Sequence, residues 1–310
     1  MNAMILAAGL GTRLLPHTLR IPKPLFPVLG KTLLQNAVET ALKMNPRRIV
    51  INVHHLADMM AEWIASHDFG VETIVSREEA ILGTAGGIKN AERWLAGDHF
   101  AVINSDIIAD IDWVALAEFR RDSKAVAALA LRKNPDPEKY GPLCVDDGGK
   151  VVRYVKTAGP GHTGKEKQFM FTGLSVLSPE IFAMIPPGRA VDISSEVYSP
   201  MTVKGEGLYG MEVTSSWVDV GTSADYFAVV MEALRADGGN AHKGTAPASS
   251  LISPPVYMEP GVEIGDSVSI GPSVAIHSGA RIGTGATLRD CIVLPGSTVG
   301  QGDIVGGRIV

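Results

Sequence analysis

The sequence predicts an α/β domain with a mixed, mostly parallel sheet, followed by a short parallel β-helix. Two features of the sequence support this prediction. From residue 3 to about 132, short apolar runs alternate with longer runs of helical period, which is typical of α/β domains. From residue 256 onward, apolar residues recur every six positions, which is typical of parallel β-helices. The 310 residues are enough for about two such domains.

The first domain is predicted to begin with alternating strands and helices. Leu33, Ala37 and Ala41 recur at helical spacing, so their segment is predicted to be an amphipathic helix. The run Ala125–Leu131 is apolar throughout, which is typical of a strand buried on both faces. Strands are predicted at Ala3–Ala7, Ile49–Val53, Val71–Val75, Phe100–Ile103 and Ala125–Leu131, and helices at Thr32–Met44, Leu56–Ser66, Ala85–Leu95 and Trp113–Arg121.

Strands dominate residues 140–220, which are predicted to complete this domain and to hold the pocket for a second substrate. A closing helix is predicted at Ala224–Ala236, so the domain spans residues 1–236. Residues 237–255 are rich in Gly, Ala, Ser and Pro and are predicted to be a linker. The remaining predicted strands are Leu143–Val145, Val151–Val155, Phe171–Leu177, Leu208–Val213 and Trp217–Val220, and the remaining helices are Pro179–Met184 and Ser195–Val203.

Residues 256–310 carry seven six-residue repeats. Their apolar positions are predicted to point into a narrow prism, with glycine or another small residue at the corners. The pattern resembles the left-handed β-helix family, in which stacked coils leave an exposed end. We therefore expect this tail to drive assembly into homo-oligomers. The inward positions are predicted to be Val256, Val262, Val268, Val274, Ala280, Ala286 and Ile292, together with Met258, Ile264, Ile270, Ile276, Ile282, Leu288 and Leu294.

Composition narrows the class of protein. The 28 Lys and Arg residues against 33 Asp and Glu residues give a net charge of −5, which argues against general nucleic-acid binding. The two cysteines, Cys144 and Cys291, form neither a disulfide framework nor a CxxC pair, as expected in a reducing cytoplasm. The sequence has no apolar run of about 18 residues and no signal-peptide pattern, so we expect a cytoplasmic protein without membrane attachment.

The richest motif follows the first predicted strand and reads LAAGLGTR, then PKPL. Gly9 and Gly11 are expected to take positive φ angles and to let successive N–H groups form an anion cradle. Arg13 and Lys23 add positive charge, and the prolines on either side of Lys23 are expected to keep it in an extended segment. The spacing excludes both a dinucleotide-binding fingerprint and a P-loop. The motif therefore predicts a phosphate-binding site of another type.

The string LAAGLGTRLLPHTLRIPKPLFPV resembles the signature of the sugar-nucleotide pyrophosphorylases, which are sugar-1-phosphate nucleotidyltransferases. The resemblance implies a Rossmann-like catalytic domain that converts an NTP and a sugar 1-phosphate into an NDP-sugar and pyrophosphate. It continues through LGTAG, NSD, KYG, FTG and WVDVGT, at Leu82–Gly86, Asn104–Asp106, Lys139–Gly141, Phe171–Gly173 and Trp217–Thr222.

The resemblance also implies roles for individual residues. Asp106 and Asp219 end apolar strands, where ligands bind in open α/β sheets, and are expected to hold Mg²⁺. Catalysis is expected from Arg13, Lys23 and Asp106. Nucleotide-binding residues are expected at Leu6, Ala8, Gly9, Gly11, Thr12, Gly83 and Thr84, and sugar-phosphate-binding residues at Asn104, Gly141, Lys156, Thr172 and Gly173.

Different segments point to different bases and sugars. LGTAG resembles guanylyltransferases that act on mannose 1-phosphate, and this is the favoured interpretation. FTGLSVLSPEIF and WVDVGT also resemble uridylyltransferases that act on amino-sugar phosphates, such as the 1-phosphates of N-acetylglucosamine or N-acetylmuramic acid. Many relatives carry Glu-Lys-Pro where this chain has Val155, Lys156 and Thr157, so a sugar contact through glutamate is missing.

Two other classes of function stay open at this point. One is a sugar-nucleotide sensor without activity, although this chain keeps the charged residues of the phosphate loop. The other is a glycosyltransferase, whose DxD metal motif is matched only superficially by Asp110-Ile-Asp112, and Asp112 is predicted to cap the next helix. His54 and His55 are neighbours at a predicted strand and point to opposite faces, so they are not expected to share a metal ion.

Overall fold

The computed structural model describes residues 1–236 and 246–310. Contacts between Cα atoms divide the chain into two compact units. The first unit contains Met1–Leu10 and Leu34–Trp217, and the second contains Gly11–Leu33 and Val218–Val310. Part of the predicted linker, residues 237–245, lies outside the described residues. No helix in the described ranges is long and apolar enough to cross a membrane.

The elements are numbered in chain order. Up to residue 158 they are β1 (Asn2–Leu6), β2 (Pro27–Val28), β3 (Lys31–Thr32), α1 (Leu33–Leu42), β4 (Arg48–Val53), α2 (Ala57–Ala65), β5 (Glu72–Arg77), α3 (Gly83–Asn90), α4 (Glu92–Leu95), β6 (Phe100–Asn104), β7 (Ile107–Ala109), α5 (Trp113–Asp122), β8 (Ala127–Lys133), β9 (Leu143–Val145), β10 (Val151–Tyr154) and β11 (Thr157–Ala158).

The later elements include the short strands of the tail. They are β12 (Lys167–Leu177), α6 (Ser199–Lys204), β13 (Leu208–Glu212), β14 (Trp217–Asp219), α7 (Ser223–Ala236), β15 (Leu251–Ile252), β16 (Val256–Met258), β17 (Glu263–Ile264), β18 (Ser269–Ile270), β19 (Val274–Ile276), β20 (Arg281–Ile282), β21 (Thr287–Arg289), β22 (Cys291–Val293), β23 (Thr298–Val299) and β24 (Ile304–Gly306).

The first unit is built on a ten-stranded mixed sheet. β1 pairs in parallel with β4 and β6, β4 with β5, and β8 with β13. β12 runs antiparallel to β6, β8 and β9, and β10 runs antiparallel to β9 and β11. Eight of the ten strands therefore share one direction, and only β10 and β12 of this sheet run against them. The prediction of a mixed, mostly parallel sheet is confirmed.

Burial explains why these segments take these forms. In α1, the apolar residues Leu34, Ala37, Val38 and Ala41 are fully buried, so the predicted helical face is the face that packs. Every residue from Ala127 to Leu131 in β8 is also fully buried, as expected for a strand covered on both faces. Asp112 caps α5 by accepting a 2.9 Å hydrogen bond from the Ala115 N–H, which confirms the predicted cap.

The strands from 251 onward form three small parallel sheets, in the orders β15-β18-β21-β24, β16-β19-β22 and β17-β20-β23. Val256 pairs with Val274, 18 residues later, and Glu263 pairs with Arg281 at the same offset. This arrangement is consistent with the predicted β-helix, and the handedness stays a prediction. The inner side chains pack into a cluster of their own, and β19 and β22 contact α7 within this unit.

One predicted part of the repeat is wrong. Val274 pairs with Cys291, an offset of 17 residues, because the corner between Leu288 and Cys291 holds two residues where the corner between Ile270 and Val274 holds three. Cys291 and Val293 therefore enter the inner cluster, at the places that a constant six-residue count gives to Ile292 and Leu294. Ile292 pairs instead with Ala275, on the opposite face of the strand.

Candidate active site

The segment after β1 folds back on itself and brings two predicted phosphate residues together. Gly11 has φ 63°, in the left-handed region, and its carbonyl accepts a 3.2 Å hydrogen bond from the Thr18 hydroxyl. A Cβ at Gly11 would lie 2.9 Å from Thr18 Cγ2 and 3.1 Å from Lys23 Cβ. Any side chain at this position would thus displace Thr18 or Lys23, which explains why glycine stands here.

Lys23 is held more tightly than the sequence predicts. Lys23–Leu25 forms a 3-10 helical turn, closed by a 2.8 Å bond from the Leu25 N–H to the Pro22 carbonyl. The predicted extended segment is therefore wrong at Lys23, because the fixed φ of Pro24 is also compatible with a helical turn. Lys23 is 8% exposed. A lysine so buried has little freedom to lose when it binds an anion.

Gly9 behaves differently from Gly11. Gly9 does not have a positive φ angle, so the prediction for this glycine is wrong. A Cβ at Gly9 would meet no atom within 4 Å. Backbone strain therefore does not require glycine at this position. Open space beside the backbone is instead what close approach of a ligand would need.

The two glycines give a matched pair of substitutions. We expect Gly9→Ala to leave the melting temperature unchanged and to raise the KM for the NTP about tenfold, because the new methyl group meets only bound nucleotide. Gly11→Ala should instead lower the melting temperature by on the order of 5 °C, because it adds both a clash and a positive φ. Thermal unfolding and initial rates measure both. A wild-type KM for the NTP in Gly9→Ala would contradict nucleotide binding beside the Gly9 backbone.

Arg13 and Asp219 meet around Gly221 in the second unit. A Cβ at Gly221 would lie 3.1 Å from an Nη1 of Arg13, 3.2 Å from Asp219 Oδ2 and 3.3 Å from Asp225 Oδ2. Asp225 is oriented by the backbone N–H and the hydroxyl of Thr222, which donate to Oδ2 at 2.9 and 2.8 Å. One cation and two carboxylates therefore surround the small space beside Gly221. Thr12 and Arg13 lie in an exposed 3-10 turn at this site.

The predicted phosphate-binding segment is supported by the C-terminal part of its own unit. The Tyr226 hydroxyl donates a 2.6 Å hydrogen bond to the Pro27 carbonyl, and the Phe26 ring packs edge-on against the Tyr226 ring at 5.1 Å. Arg20 donates to the Gly296 carbonyl at 3.2 Å. A Cβ at Gly30 would lie 2.5 Å from the Tyr257 hydroxyl. Side chains of α7 and of the tail thus contact the segment that carries Arg13 and Lys23.

In the first unit, a buried polar network lies beneath the predicted base-binding residues. The Ala7 N–H, between Leu6 and Ala8, donates to Asn52 Oδ1 at 2.8 Å. Asn52 Nδ2 donates to Glu78 Oε1 at 2.7 Å, and the Leu82 N–H donates to Glu78 Oε2 at 2.9 Å. Asn52 and Glu78 are 2% and 4% exposed. This network joins the end of β1 to the start of α3.

Sequence reasoning missed Asn52 and Glu78. The available signal was a polar residue inside the apolar run of β4 and a glutamate after β5, since buried polar residues need partners. The pairing itself depends on the sheet order, which places β4 between β1 and β5. His54 also belongs here, because its Nδ1 lies 2.9 Å from the Glu78 carbonyl oxygen.

Glu78→Gln tests the network. The glutamine amide would face the donors of Asn52 or Leu82, and an unsatisfied buried donor costs about 1–3 kcal/mol. We expect the KM for the NTP to rise about tenfold and the melting temperature to fall, since each kcal/mol of free energy lowers it by a few degrees. Glu79→Gln, at the exposed neighbouring position, should behave as wild type. Equal effects in the two variants would contradict the role of the network.

Gly83 and Thr84 begin α3 and are fixed by the segment around Val191. Gly83 has φ 70°, and a Cβ there would lie 2.7 Å from the Val191 carbonyl oxygen. The same oxygen accepts from the N–H groups of Ala85 and Gly86 at 3.0 and 3.2 Å. The Thr84 hydroxyl accepts from the Ile193 N–H at 2.8 Å. The first N–H groups of α3 are thus partly used within the protein, and nucleotide binding by Gly83 and Thr84 stays a prediction.

Asn104 and Asp106 lie at the carboxyl end of β6. The intervening residue, Ser105, is buried, and its N–H donates to the Leu6 carbonyl at 3.1 Å, which holds this end of β6 beside the end of β1. Asp106 is half-buried. Asn104 contacts Gly173, since a Cβ at Gly173 would lie 2.8 Å from Asn104 Nδ2. Two predicted sugar-phosphate residues are thereby brought together.

Thr172 occupies a position inside the sheet. Its hydroxyl donates to the Ala130 carbonyl at 2.8 Å, and its own carbonyl accepts from Trp217 Nε1 at 2.8 Å. Thr172 is 1% exposed. Gly173 follows with φ 80°, at an irregularity in the pairing of β12 with β8. The hydroxyl has a partner within the protein, and a contact from Thr172 to a sugar stays a prediction.

Gly141 contacts Val155, the residue that precedes Lys156. A Cβ at Gly141 would lie 2.8 Å from Val155 Cγ1, and the Val155 N–H donates to the Pro142 carbonyl at 2.7 Å. Val155 has φ 53°, which turns the chain sharply between β10 and β11. Lys156 is exposed at this turn. The preceding Tyr140 packs edge-on against Trp217 at 5.6 Å, so the loop before Gly141 is anchored to the residue that also binds Thr172.

The residues around Gly221 fit a magnesium ion by their chemistry. Mg²⁺ prefers oxygen ligands and usually binds one or two carboxylates. Asp219 and Asp225 offer carboxylate oxygens to one space, in the second unit. Asp106, in the first unit, offers another carboxylate at a strand end. Among the described residues, neither His54 nor His55 belongs to a group of three His, Cys, Asp or Glu side chains close enough to share a metal ion.

Two sequence models of known families match the chain. The model described as nucleotidyl transferase matches residues 2–236. The model described as GMPPB C-terminal domain matches residues 252–310.

Individual proteins of known name are also similar to this chain. A mannose-1-phosphate guanyltransferase of Schizosaccharomyces pombe is 35% identical over 320 residues, which cover 100% of this chain and 85% of that protein. A UTP–glucose-1-phosphate uridylyltransferase of Synechocystis is 29% identical over 279 residues, which cover 86% of this chain and 69% of that protein. The crystal structure of HddC from Yersinia pseudotuberculosis, complexed with GMP-PN, shares the fold with a TM-score of 0.62 at 24% identity, over 74% of this chain and 98% of HddC.

Proposed function

Because this chain belongs to the nucleotidyl transferase family and is a sugar-1-phosphate nucleotidyltransferase, we propose that it transfers a guanylyl group from GTP to mannose 1-phosphate. The products are GDP-mannose and pyrophosphate. The observation that carries this proposal is the match to a mannose-1-phosphate guanyltransferase along the whole chain, including the C-terminal strands. The LGTAG segment at the start of α3 supports the same base.

The reaction needs no general base. The attacking group is a phosphate oxygen of the sugar 1-phosphate, which is already anionic at pH 7 because the second pKa of such a phosphate is about 6. It attacks the α-phosphorus of the NTP in line, the new P–O bond forms, and the bond to the leaving pyrophosphate breaks. Two anions must therefore be aligned and their repulsion reduced. Cations held in place before the substrates arrive meet this need.

Lys23 and Arg13 supply those cations. Lys23 lies in a 3-10 turn, its Cβ lies beside Gly11 and its side chain is 8% exposed, so little side-chain freedom is left for its ammonium group to lose. Arg13 is exposed on the neighbouring turn and can follow the charge that develops on the leaving pyrophosphate. Leu6, Ala8, Gly9 and Thr12 would receive the nucleotide, and Lys156 would bind the sugar phosphate.

Magnesium is the cofactor that we propose for this site, with Asp106 and Asp219 as its protein ligands. Asp106 and Asp219 would hold the ion, whose positive charge would offset the negative charge of the substrate phosphates. Asp225 lies beside Asp219 around Gly221 and adds a second carboxylate there, next to the guanidinium of Arg13.

A uridylyltransferase is the second candidate, and the match to the Synechocystis enzyme favours it specifically. Its sugar would be glucose 1-phosphate or an amino-sugar 1-phosphate. Val155, with a positive φ angle, stands before Lys156 where many relatives have glutamate. The contacts that choose the sugar in this chain therefore differ from the usual ones, and substrate tests decide between the candidates.

The deciding experiment is pyrophosphate release by the purified full-length protein with Mg²⁺. GTP, UTP, CTP, ATP and dTTP are each paired with the 1-phosphates of mannose, glucose, N-acetylglucosamine, N-acetylmuramic acid and a heptose. We expect the highest kcat/KM with GTP and mannose 1-phosphate. A preference for UTP with any of the other sugars would overturn the proposal in favour of the second candidate.

A further inference from the structure

Three side chains of types that can bind metal ions meet on the antiparallel part of the first unit. None of them is a predicted phosphate- or sugar-binding residue. Cys144 lies in β9, His162 in the turn after β11, and Glu166 directly before β12. One potential ligand atom from each side chain lies within 4.8 Å of the other two. Among the described ranges 1–236 and 246–310, this is the only such group of three.

The sheet pairing explains how these side chains meet. Cys144 of β9 pairs directly with Gln168 of β12. Glu166 precedes Gln168 by two residues, so its side chain lies on the same face of the sheet as the Cys144 side chain. The turn that contains His162 starts after β11 and returns the chain to β12, so the histidine is carried over the same face.

All three side chains are largely shielded from solvent. Cys144 is 2% exposed, and the side chains of His162 and Glu166 are 19% and 9% exposed. His162 Nδ1 lies 3.0 Å from Glu166 Oε2. The Nδ1 atom is buried and has no partner in hydrogen-bonding geometry. A buried ring nitrogen without such a partner calls for an explanation, and an absent ion is one of the recognised explanations.

The carboxylate is oriented by its own turn. The N–H and the hydroxyl of Thr163 donate to Glu166 Oε1 at 2.5 and 2.7 Å, and the Gly164 N–H donates to Oε2 at 3.0 Å. Hydrogen bonds of this kind fix the direction of a ligating carboxylate. Arg153 lies opposite Cys144 on β10, and its guanidinium donates to the Val155 carbonyl at 3.1 Å.

We propose that Cys144, His162 and Glu166 form a zinc site that joins β9 to the turn before β12. One thiolate, one imidazole and one carboxylate are a mixed donor set that suits Zn²⁺ and does not suit Mg²⁺ or Ca²⁺. The three protein ligands leave a fourth tetrahedral position for water. The ion would stabilise the sheet edge that carries the turn with Lys156, and its ligands include none of the residues proposed to hold magnesium.

The test uses metal-stripped full-length protein and does not depend on turnover. Calorimetric titration with Zn²⁺ should give one equivalent per chain, and zinc should raise the melting temperature. Co²⁺ should produce the absorption band of a thiolate–cobalt bond. Cys144→Ala should abolish that band, and His162→Gln and Glu166→Gln should weaken zinc binding by at least about tenfold. Cys291→Ala, which removes the other buried cysteine, should keep the band and the affinity.

X-ray absorption on the zinc-loaded wild-type protein keeps the test valid if a variant fails to fold. We expect one sulfur at about 2.3 Å from zinc, with the other ligands at about 2.0–2.2 Å. A shell without sulfur would overturn the proposal. So would the absence of zinc binding by the wild-type protein, or loss of the cobalt band in Cys291→Ala with retention in Cys144→Ala.

Discussion

Lys23→Ala is expected to lower turnover by roughly a hundredfold or more, the scale of losing one preorganised electrostatic contact. The effect should be on kcat as well as on KM, because the side chain is already buried before the substrate binds and its charge would act on charge that grows during the reaction. Initial rates of pyrophosphate release, at varied NTP concentration, separate the two parameters.

The side chain is 8% exposed, so the alanine variant also loses packing. Lys23→Met keeps most of the apolar stem and removes the charge, and we expect the same loss of kcat with a smaller change in melting temperature. Lys43→Ala removes an exposed lysine that pairs with Asp110 at 2.6 Å, and it should keep wild-type rates. A wild-type kcat in Lys23→Met would remove this residue from the mechanism.

Asp106→Ala should also lower turnover by roughly a hundredfold or more. Asp106 stands at the carboxyl end of β6, and Ser105 before it is fixed to the end of β1. If its carboxylate holds Mg²⁺, the variant should need a higher Mg²⁺ concentration for half-maximal rate, so the assay varies the metal ion at saturating substrates.

Asp110→Ala is the matched control for this substitution. It removes a nearby aspartate that is exposed and bound to Lys43, and it should change neither the rate nor the Mg²⁺ dependence. An unchanged Mg²⁺ dependence in Asp106→Ala, with reduced rate, would assign the residue a role other than metal binding. A wild-type rate would exclude it from the site.

The spacing of hydrophobic residues along the sequence was sufficient to predict strands β1, β4, β6 and β8 and helix α1. The apolar runs of β1, β4, β6 and β8 and the apolar face of α1 each bury the residues that the pattern marks. The predicted phosphate segment could be identified from its glycines and charged residues in the same way, and the structure brings Gly11 and Lys23 of that segment together. Local pattern is reliable when one segment alone determines the outcome.

Features that depend on two distant segments were out of reach. The hydrogen bonds of Asn52 with Ala7 and with Glu78 form because β4 lies between β1 and β5. Nothing in the sequence around Asn52 or Glu78 indicates which residue is its partner. The shortened corner before Cys291 was hidden for a related reason. Ile292 and Leu294 continue a six-residue count in sequence, and only pairing with the previous coil reveals the shift.

The contacts of Arg20 with Gly296 and of Gly30 with Tyr257 have a consequence for protein engineering. The two family models meet between residues 236 and 252, which invites chimeras that graft a foreign tail at this junction. Such a graft would separate the segment that carries Arg13 and Lys23 from the part of the tail that it contacts. The tail and residues 11–33 are therefore best transplanted together, as one unit, even though they are far apart in the sequence.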